Sequence, residues 1–305
     1  MKLSIVIPLY QNEKNIPITY SKLKEEVIPY LDNYEIIFVD DGCKDNSYQE
    51  AMKLREIDNN VKVIKLSRNF GQHVAIYAGL EHISGDCAAV ISADLQDPPS
   101  LLVEMVEKYK QGNKVVLAIR ESRDEKWSQK LFSKVYYKLM RKFAIKDMPK
   151  GGFDCFLADK QVIEVLTSIE EKNTSLFAQV LWLGFKRAEI HYTRRSRDIG
   201  KSGWTLSKKI KLVVDSLLAF SYVPIRAISI IGIVDCIICV IMAIYIILQK
   251  ILFGANPGWS SIMVVILFTS GVQMLTLGII GEYLWRNFDE SRKRPLYVLD
   301  SKHGL

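Results

Sequence analysis

Four acidic residues stand out for where they fall. Asp40 and Asp41 close the apolar run Tyr34–Val39, and Asp94 and Asp97 follow the apolar run Cys87–Ser92. A carboxylate in such a place can accept hydrogen bonds from hydroxyl or N–H groups, or ligate a hard cation. Gln96, between the second pair, offers a carboxamide oxygen of similar hardness. Further along lie Arg120 and Arg123, then Arg194, Arg195, Arg197 and Lys201. Guanidinium forks suit phosphate oxygens better than ammonium groups do. No GxGxxG or Walker-type glycine loop is present, which argues against a dehydrogenase or a P-loop ATPase. A nucleotide diphosphate would then need a divalent cation on carboxylates, helped by arginines.

The elements that must position these residues read as alternating strands and helices. Leu3–Leu9, Tyr34–Val39, Val61–Leu66, Cys87–Ser92 and Lys114–Ile119 are short apolar runs, with helical stretches near Asn46–Ile57, Val74–His82 and Ser100–Tyr109. This alternation predicts an α/β fold with a mostly parallel, doubly wound sheet, which binds ligands beyond the carboxyl ends of its strands. The four acids fall at those ends.

The formal charge of +7 calls for an anionic partner. Nucleic acid is the weaker choice, because no DNA- or RNA-binding pattern accompanies the charge. Five scattered cysteines do not form a disulfide framework and fit a reducing compartment. The apolar residues concentrate late in the chain. Ala227–Leu248 holds one charged residue, Asp235, and Ala255–Gly281 holds none. Each run is long enough to span a bilayer as a helix, at roughly 20 residues. Positive charges before the first run (Lys208, Lys209, Lys211, Arg226) and after the second (Arg286, Arg292, Lys293, Arg294) predict a hairpin with both termini in the cytosol. At matching depth, Asp235 is expected to be protonated or hydrogen-bonded, with Gln273 or a neighbouring subunit as partner. The expected organisation is a catalytic domain over residues 1–205 and a juxtamembrane amphipathic segment over 206–226. A hairpin over 227–284 follows, with spans near 227–249 and 261–281, and then a cytosolic tail over 285–305.

Six segments in order carry a specific resemblance: Ser4–Glu13, Val39-Asp40-Asp41-Gly42, Ser67-Arg68-Asn69-Phe70-Gly71, Asp94-Leu95-Gln96-Asp97-Pro98-Pro99, Gly200–Trp204 and Gly281-Glu282-Tyr283. The chain resembles glycosyltransferase family 2, of the GT-A fold, and within it the polyprenyl-phosphate sugar transferases. The resemblance implies a nucleotide-sugar donor, with a UDP-sugar favoured, and an inverting transfer to polyprenyl (undecaprenyl) phosphate. It places this on the cytosolic face of the inner (plasma) membrane, for envelope glycan modification. A dolichyl-phosphate-mannose-synthase-like use of GDP-mannose, or transfer to a glycan, is the alternative.

By the same resemblance, the first loop (Pro8, Tyr10, Glu13), Asp40, Asp41 and Asp94 hold the nucleotide. Asp94 and Gln96 hold Mg2+ or Mn2+, and Asp97 is either a further ligand or the cap of a helix opened by Pro98 and Pro99. Asp94 also stands as catalytic through that metal. Arg120 and Arg123 are implied to grip the acceptor phosphate, and Arg197, Lys201 and Ser202 to form a lid over the diphosphate. Asp154 can orient the acceptor or act as a base, with Asp159 a rival. A homo-oligomer is possible, with Asp235 as its hint.

Overall fold

The computed structural model describes residues 1–122, 137–149, 151–169, 171–172, 174–193, 213, 215–216, 218–221, 223–253 and 258–305. Of the expected site residues, Arg123, Arg197, Lys201 and Ser202 lie outside them.

The chain divides into two compact units, residues 1–213 with 295–305 and residues 214–294. The first is built on an eight-stranded sheet. Its strands are β1 (Lys2–Leu9), β2 (Asn33–Asp40), β3 (Val61–Leu66), β4 (Cys87–Val90), β5 (Val115–Ser122), β6 (Cys155–Asp159), β7 (Arg187–Thr193) and β8 (Leu299–His303), in the order β7-β5-β6-β4-β1-β2-β3-β8. β1 to β4 are mutually parallel, as are β5 and β7, while β6 and β8 run antiparallel to their neighbours.

All five strands read from the sequence are present. β5 runs on to Ser122, so Arg120 lies inside the strand instead of after it. The three further strands have weaker local signals. β6 is five residues long, and β7 and β8 are edge strands whose residues face solvent in turn. The tail expected over 285–305 is helical as far as Ser291, and its last part pairs with β3.

β1 is central because seven of its eight residues are fully enclosed. Each buried Ile or Leu there contributes about 1.5–3 kcal/mol relative to exposure. Proline is rare in such a strand, since it cannot donate to the ladder. The carbonyl of Val6 accepts from Ile91 N on the β4 side, and that of Leu9 accepts from Asp41 N on the β2 side. By alternation Pro8 faces the β4 side, where β4 has already ended at Val90. Pro8 thus sits where no ladder bond is lost.

The helices of this unit are α1 (Asn15–Glu26), α2 (Ser47–Ile57), α3 (Gln72–Leu80), α4 (Leu101–Lys110), α5 (Lys160–Thr167) and α6 (Leu176–Trp182). α3 lies tight on the sheet at Gly79, where a Cβ would stand 2.4 Å from Val6 Cγ1. Residues 137–143 are also helical, with Met140 buried. Cys43, Cys87 and Cys155 are free thiols.

The second unit carries two long helices, α7 (Val223–Phe253) and α8 (Trp259–Ser291). Ile225–Gln249 is long and apolar enough to cross a membrane, the one such helix among the described residues. Large apolar side chains are exposed along both helices, from Ile230 and Ile237 on α7 to Phe268 and Leu277 on α8. Asp235 is half-buried on α7, and its Oδ1 has no hydrogen-bond partner among the described residues. Arg286 of α8 binds Asp215 at 2.6 Å and Glu282 at 3.1 Å.

Candidate active site

The first pair of acids ends β2. Asp40 is fully buried; its Oδ1 accepts from Cys43 N at 2.7 Å, and its Oδ2 has no partner among the described residues. Leaving a buried carboxylate oxygen unmatched costs free energy, which a ligand donor would recover. Asp41 accepts from Phe70 N at 2.7 Å and from Gly71 N at 2.9 Å. Burial pushes its carboxyl up to about 6 against the pull of those two amides, and the neighbouring charge of Asp40 adds to the rise. Gly42 follows at φ +63°, and a Cβ there would stand 2.4 Å from the carbonyl carbon of Arg68. The loop Ser67–Gly71 is therefore pressed onto the end of β2 and gripped by Asp41. Arg68 stacks on the Phe70 ring at 4.1 Å.

The loop after β1 lies beside this pair. Tyr10 is 49% exposed, a flat aromatic face open at the sheet's carboxyl edge. Gln11 adopts φ +54°, and its amide donates to Cys43 Sγ. Glu13 accepts from Asn46 N at 2.9 Å, so it ties this loop to the start of α2. Asp45 accepts from the Ser47 amide and hydroxyl at the start of α2, while the bonds of Asp40 and Asp41 go to Cys43, Phe70 and Gly71, so neither of these two caps that helix.

The second pair follows β4. Asp94 is nearly buried, and its Oδ1 accepts from Gln96 N at 3.3 Å. The turn between them passes through Leu95 at φ +56°. A non-glycine residue there costs on the order of 1–3 kcal/mol, and such outliers gather at ligand-binding turns. Asp97 is fully buried, and the Tyr192 hydroxyl at the end of β7 donates to its Oδ1. Burial and the Asp97 charge push the Tyr192 hydroxyl far above its ordinary range, so it stays a proton donor. α4 opens only at Leu101, with Ser100 in the capping position.

A third cluster joins β5 to β6. Arg120 is 4% exposed, and its Nη1 and Nη2 bind Asp154 Oδ2 and Oδ1 at 2.7 and 3.0 Å. Burial works to lower the guanidinium pKa, but the Asp154 charge overrides it and the net shift is upward. The family resemblance implies that Arg120 grips the acceptor phosphate through its guanidinium fork. Instead Asp154 occupies that fork, and Nε remains without a partner among the described residues. Two glycines permit this approach: a Cβ at Gly151 would stand 2.0 Å from Arg120 O, and one at Gly152 1.8 Å from the Tyr137 hydroxyl.

Because β6 is antiparallel to β4, its first residues lie at the carboxyl edge and its last at the opposite edge. Phe156 is paired with Val90, and Asp159 with Cys87. Asp154 thus joins the site, while Asp159 caps α5 through Gln161 N at 2.9 Å and binds Tyr109 at 2.8 Å. His73, Tyr137 and Tyr192 were not expected. His73 packs edge-on against Phe177 at 5.2 Å, beside Phe153. Burial pushes its imidazole down to about 4, only partly offset by Asp154, so it is neutral near pH 7. Single aromatic residues far apart in the chain carry no local signal of such a meeting.

The donor set Asp94–Gln96 fits a divalent cation only in part. Both groups offer hard oxygens, but no group of three acidic, His or Cys ligands occurs among the described residues. A Mg2+ ion needs no all-protein cage, because substrate phosphates and water complete its shell.

A mostly parallel α/β sheet with acids at its carboxyl edge is the arrangement of a GT-A sugar transferase. The chain belongs to glycosyl transferase family 2, whose family model matches residues 4–167. It is 38% identical to the uncharacterized glycosyltransferase YkcC of Bacillus subtilis, over 100% of this chain and 95% of that one. It is 34% identical to the prophage bactoprenol glucosyl transferase homolog of Escherichia coli, over 98% of each. With the bactoprenol glucosyl transferase of Shigella phage SfII it shares 33% identity over 99% of each. Among solved structures, it is similar to glucosyl-3-phosphoglycerate synthase from Mycobacterium tuberculosis, crystallised with Mn2+, UDP-glucose and phosphoglyceric acid. That match has a TM-score of 0.48 and 15% identity, over 72% of this chain and 77% of that one.

Proposed function

We infer that this glycosyltransferase moves a sugar from a nucleotide-sugar donor, a UDP-sugar first, to polyprenyl phosphate on the cytosolic face of the membrane. The observation that carries the reading is that one chain combines an acid-lined sheet edge with a helix of membrane-spanning length, Ile225–Gln249. The relatives named for bactoprenol support the lipid acceptor. The run within α8 serves as the second span, and the flanking positive charges place both termini in the cytosol.

In this reading Asp40 and Asp41 accept hydrogen bonds from the base or ribose, and Tyr10 offers its face. Asp94 and Gln96 would hold Mg2+ or Mn2+, whose charge stabilises the diphosphate as it leaves. Asp97 is a buried acceptor from Tyr192, which ties the turn to β7. A polyprenyl-phosphate oxygen attacks the anomeric carbon as the carbon–oxygen bond to the diphosphate breaks, and configuration inverts. A phosphate monoester has a second pKa near 6, so its oxygen is largely deprotonated at neutral pH. Asp154 therefore orients the acceptor side of the site, or takes a residual proton, with Arg120 holding it in place.

Membranes incubated with radiolabelled UDP- and GDP-sugars test this. Label in the organic phase, dependent on added undecaprenyl phosphate and on Asp94, is the expected result. Label found only in polymer would mean a glycan acceptor, and label from GDP-mannose alone would move the donor to the guanosine class.

A further inference from the structure

The end of the chain returns to the catalytic unit and meets the loop that Asp41 grips. β8 pairs antiparallel with β3, Val63 opposite His303, Ile64 opposite Lys302 and Lys65 opposite Ser301, and the register shifts between Lys65 and Leu66. Beyond that shift the Ser67 amide donates to the Val298 carbonyl at 2.9 Å. Side chains reinforce the pairing. Lys65 Nζ binds Asp300 at 2.8 Å, and the Tyr48 hydroxyl of α2 lies 3.0 Å from His303 Nε2 and 3.3 Å from Ser301 Oγ. Tyr297 also donates to Glu81, just past α3. The loop Ser67–Gly71 is thus held at its start by Val298 and at its end by Asp41, with Gly42 beneath it.

We propose that the C-terminal strand is a positioning element of the donor site, setting the Ser67–Gly71 loop so that Asp41 and Asp40 meet the nucleoside diphosphate. The idea rests on the donor site assigned above. After the break the ladder resumes at Leu66 opposite Leu299, and its next bond falls on the loop. Here the strand reaches past a register break to anchor the first residue of the loop. The same strand follows α8 through residues 292–298, so the donor site depends on a segment that exists only once the apolar helices have been made.

The test uses the full-length protein in membranes or detergent, with UDP and Mg2+ as the probe and UDP-glucose as donor. Asp300→Lys sets two cations against each other, and Lys65→Asp with Asp300→Lys restores the pair in reverse. Ser301→Pro disturbs the strand itself. Asp300→Lys and Ser301→Pro are expected to raise the UDP Kd and the donor KM about fivefold or more, with acceptor KM and saturated kcat within about twofold. The reversed pair should recover most of the loss. If the folded variants bind UDP as the parent does while Asp41→Asn weakens it, the proposal falls and the donor site stands. If Asp41→Asn changes nothing, the donor site itself falls, and the proposal with it. Should both strand variants unfold, hydrogen exchange on the parent protein decides. UDP must then slow exchange in 298–303 as well as in 67–71, and protection confined to 67–71 overturns the idea.

Discussion

Arg120 and Asp154 form a two-point ion pair, Nη1 to Oδ2 at 2.7 Å and Nη2 to Oδ1 at 3.0 Å, between the end of β5 and the turn before β6. Arg120 is almost fully buried, and Asp154 is about one-third exposed. One partner is fixed in the protein, and the other reaches the open edge.

Removing either partner should therefore be costly and non-additive. Arg120→Ala or Asp154→Ala should each lose about 1.5–3 kcal/mol in chemical denaturation, as for hydrogen bonds to charged groups. The double variant should lose clearly less than the sum. Additive losses would show that the two do not act as a pair. Asp154→Asn, which keeps the shape, should lower kcat more than it changes donor KM.

Asp41 carries a pH signature. Its carboxyl is raised from 3.8 to about 6 by burial, so the folded state favours the protonated form. Raising the pH from about 4 to 7 ionises it at a cost of up to about 3 kcal/mol, and stability falls across that window. Asp41→Asn does not titrate, although its amide nitrogen meets one of the two backbone N–H groups poorly. The variant should be the less stable at pH 4, and the gap should narrow towards pH 7. A constant gap in thermal unfolding would count against the raised carboxyl.

Asp94→Ala, or chelation by EDTA, should abolish transfer while circular dichroism and membrane association stay unchanged. Added Mg2+ or Mn2+ should restore the chelated enzyme and leave the variant inactive. Full activity after chelation would remove the metal from the reading.

Gly42→Ala tests the loop seat. The residue has φ +63°, and its Cβ would press on the Arg68 backbone. The left-handed backbone alone costs about 1 kcal/mol, and the clash must displace the Ser67–Gly71 loop. Donor KM should rise about tenfold while acceptor KM holds. An unchanged donor KM would show that the loop does not shape the donor site.

Much of this protein is written locally. β1 to β5 are apolar runs of strand length, and burial on both faces demands that pattern. Asp40, Asp41, Asp94 and Gln96 could be placed at the carboxyl edge because strand direction in a parallel sheet sets which end faces the ligand. The apolar helix Ile225–Gln249 was likewise legible, since length and hydropathy are local properties.

What the tertiary structure alone decided depends on pairing between distant segments. The direction of β6 separates Asp154 from Asp159, although only four residues lie between them, because one end of an antiparallel strand reaches the site and the other caps α5. Arg120 reads as an open phosphate grip until Asp154 is seen in its fork. β8 has a polar sequence and gains its place from the ladder that β3 offers and from the side-chain partners Lys65 and Tyr48. Such contacts follow from which backbone edges and buried charges find each other across the chain, and neither composition nor periodicity records that.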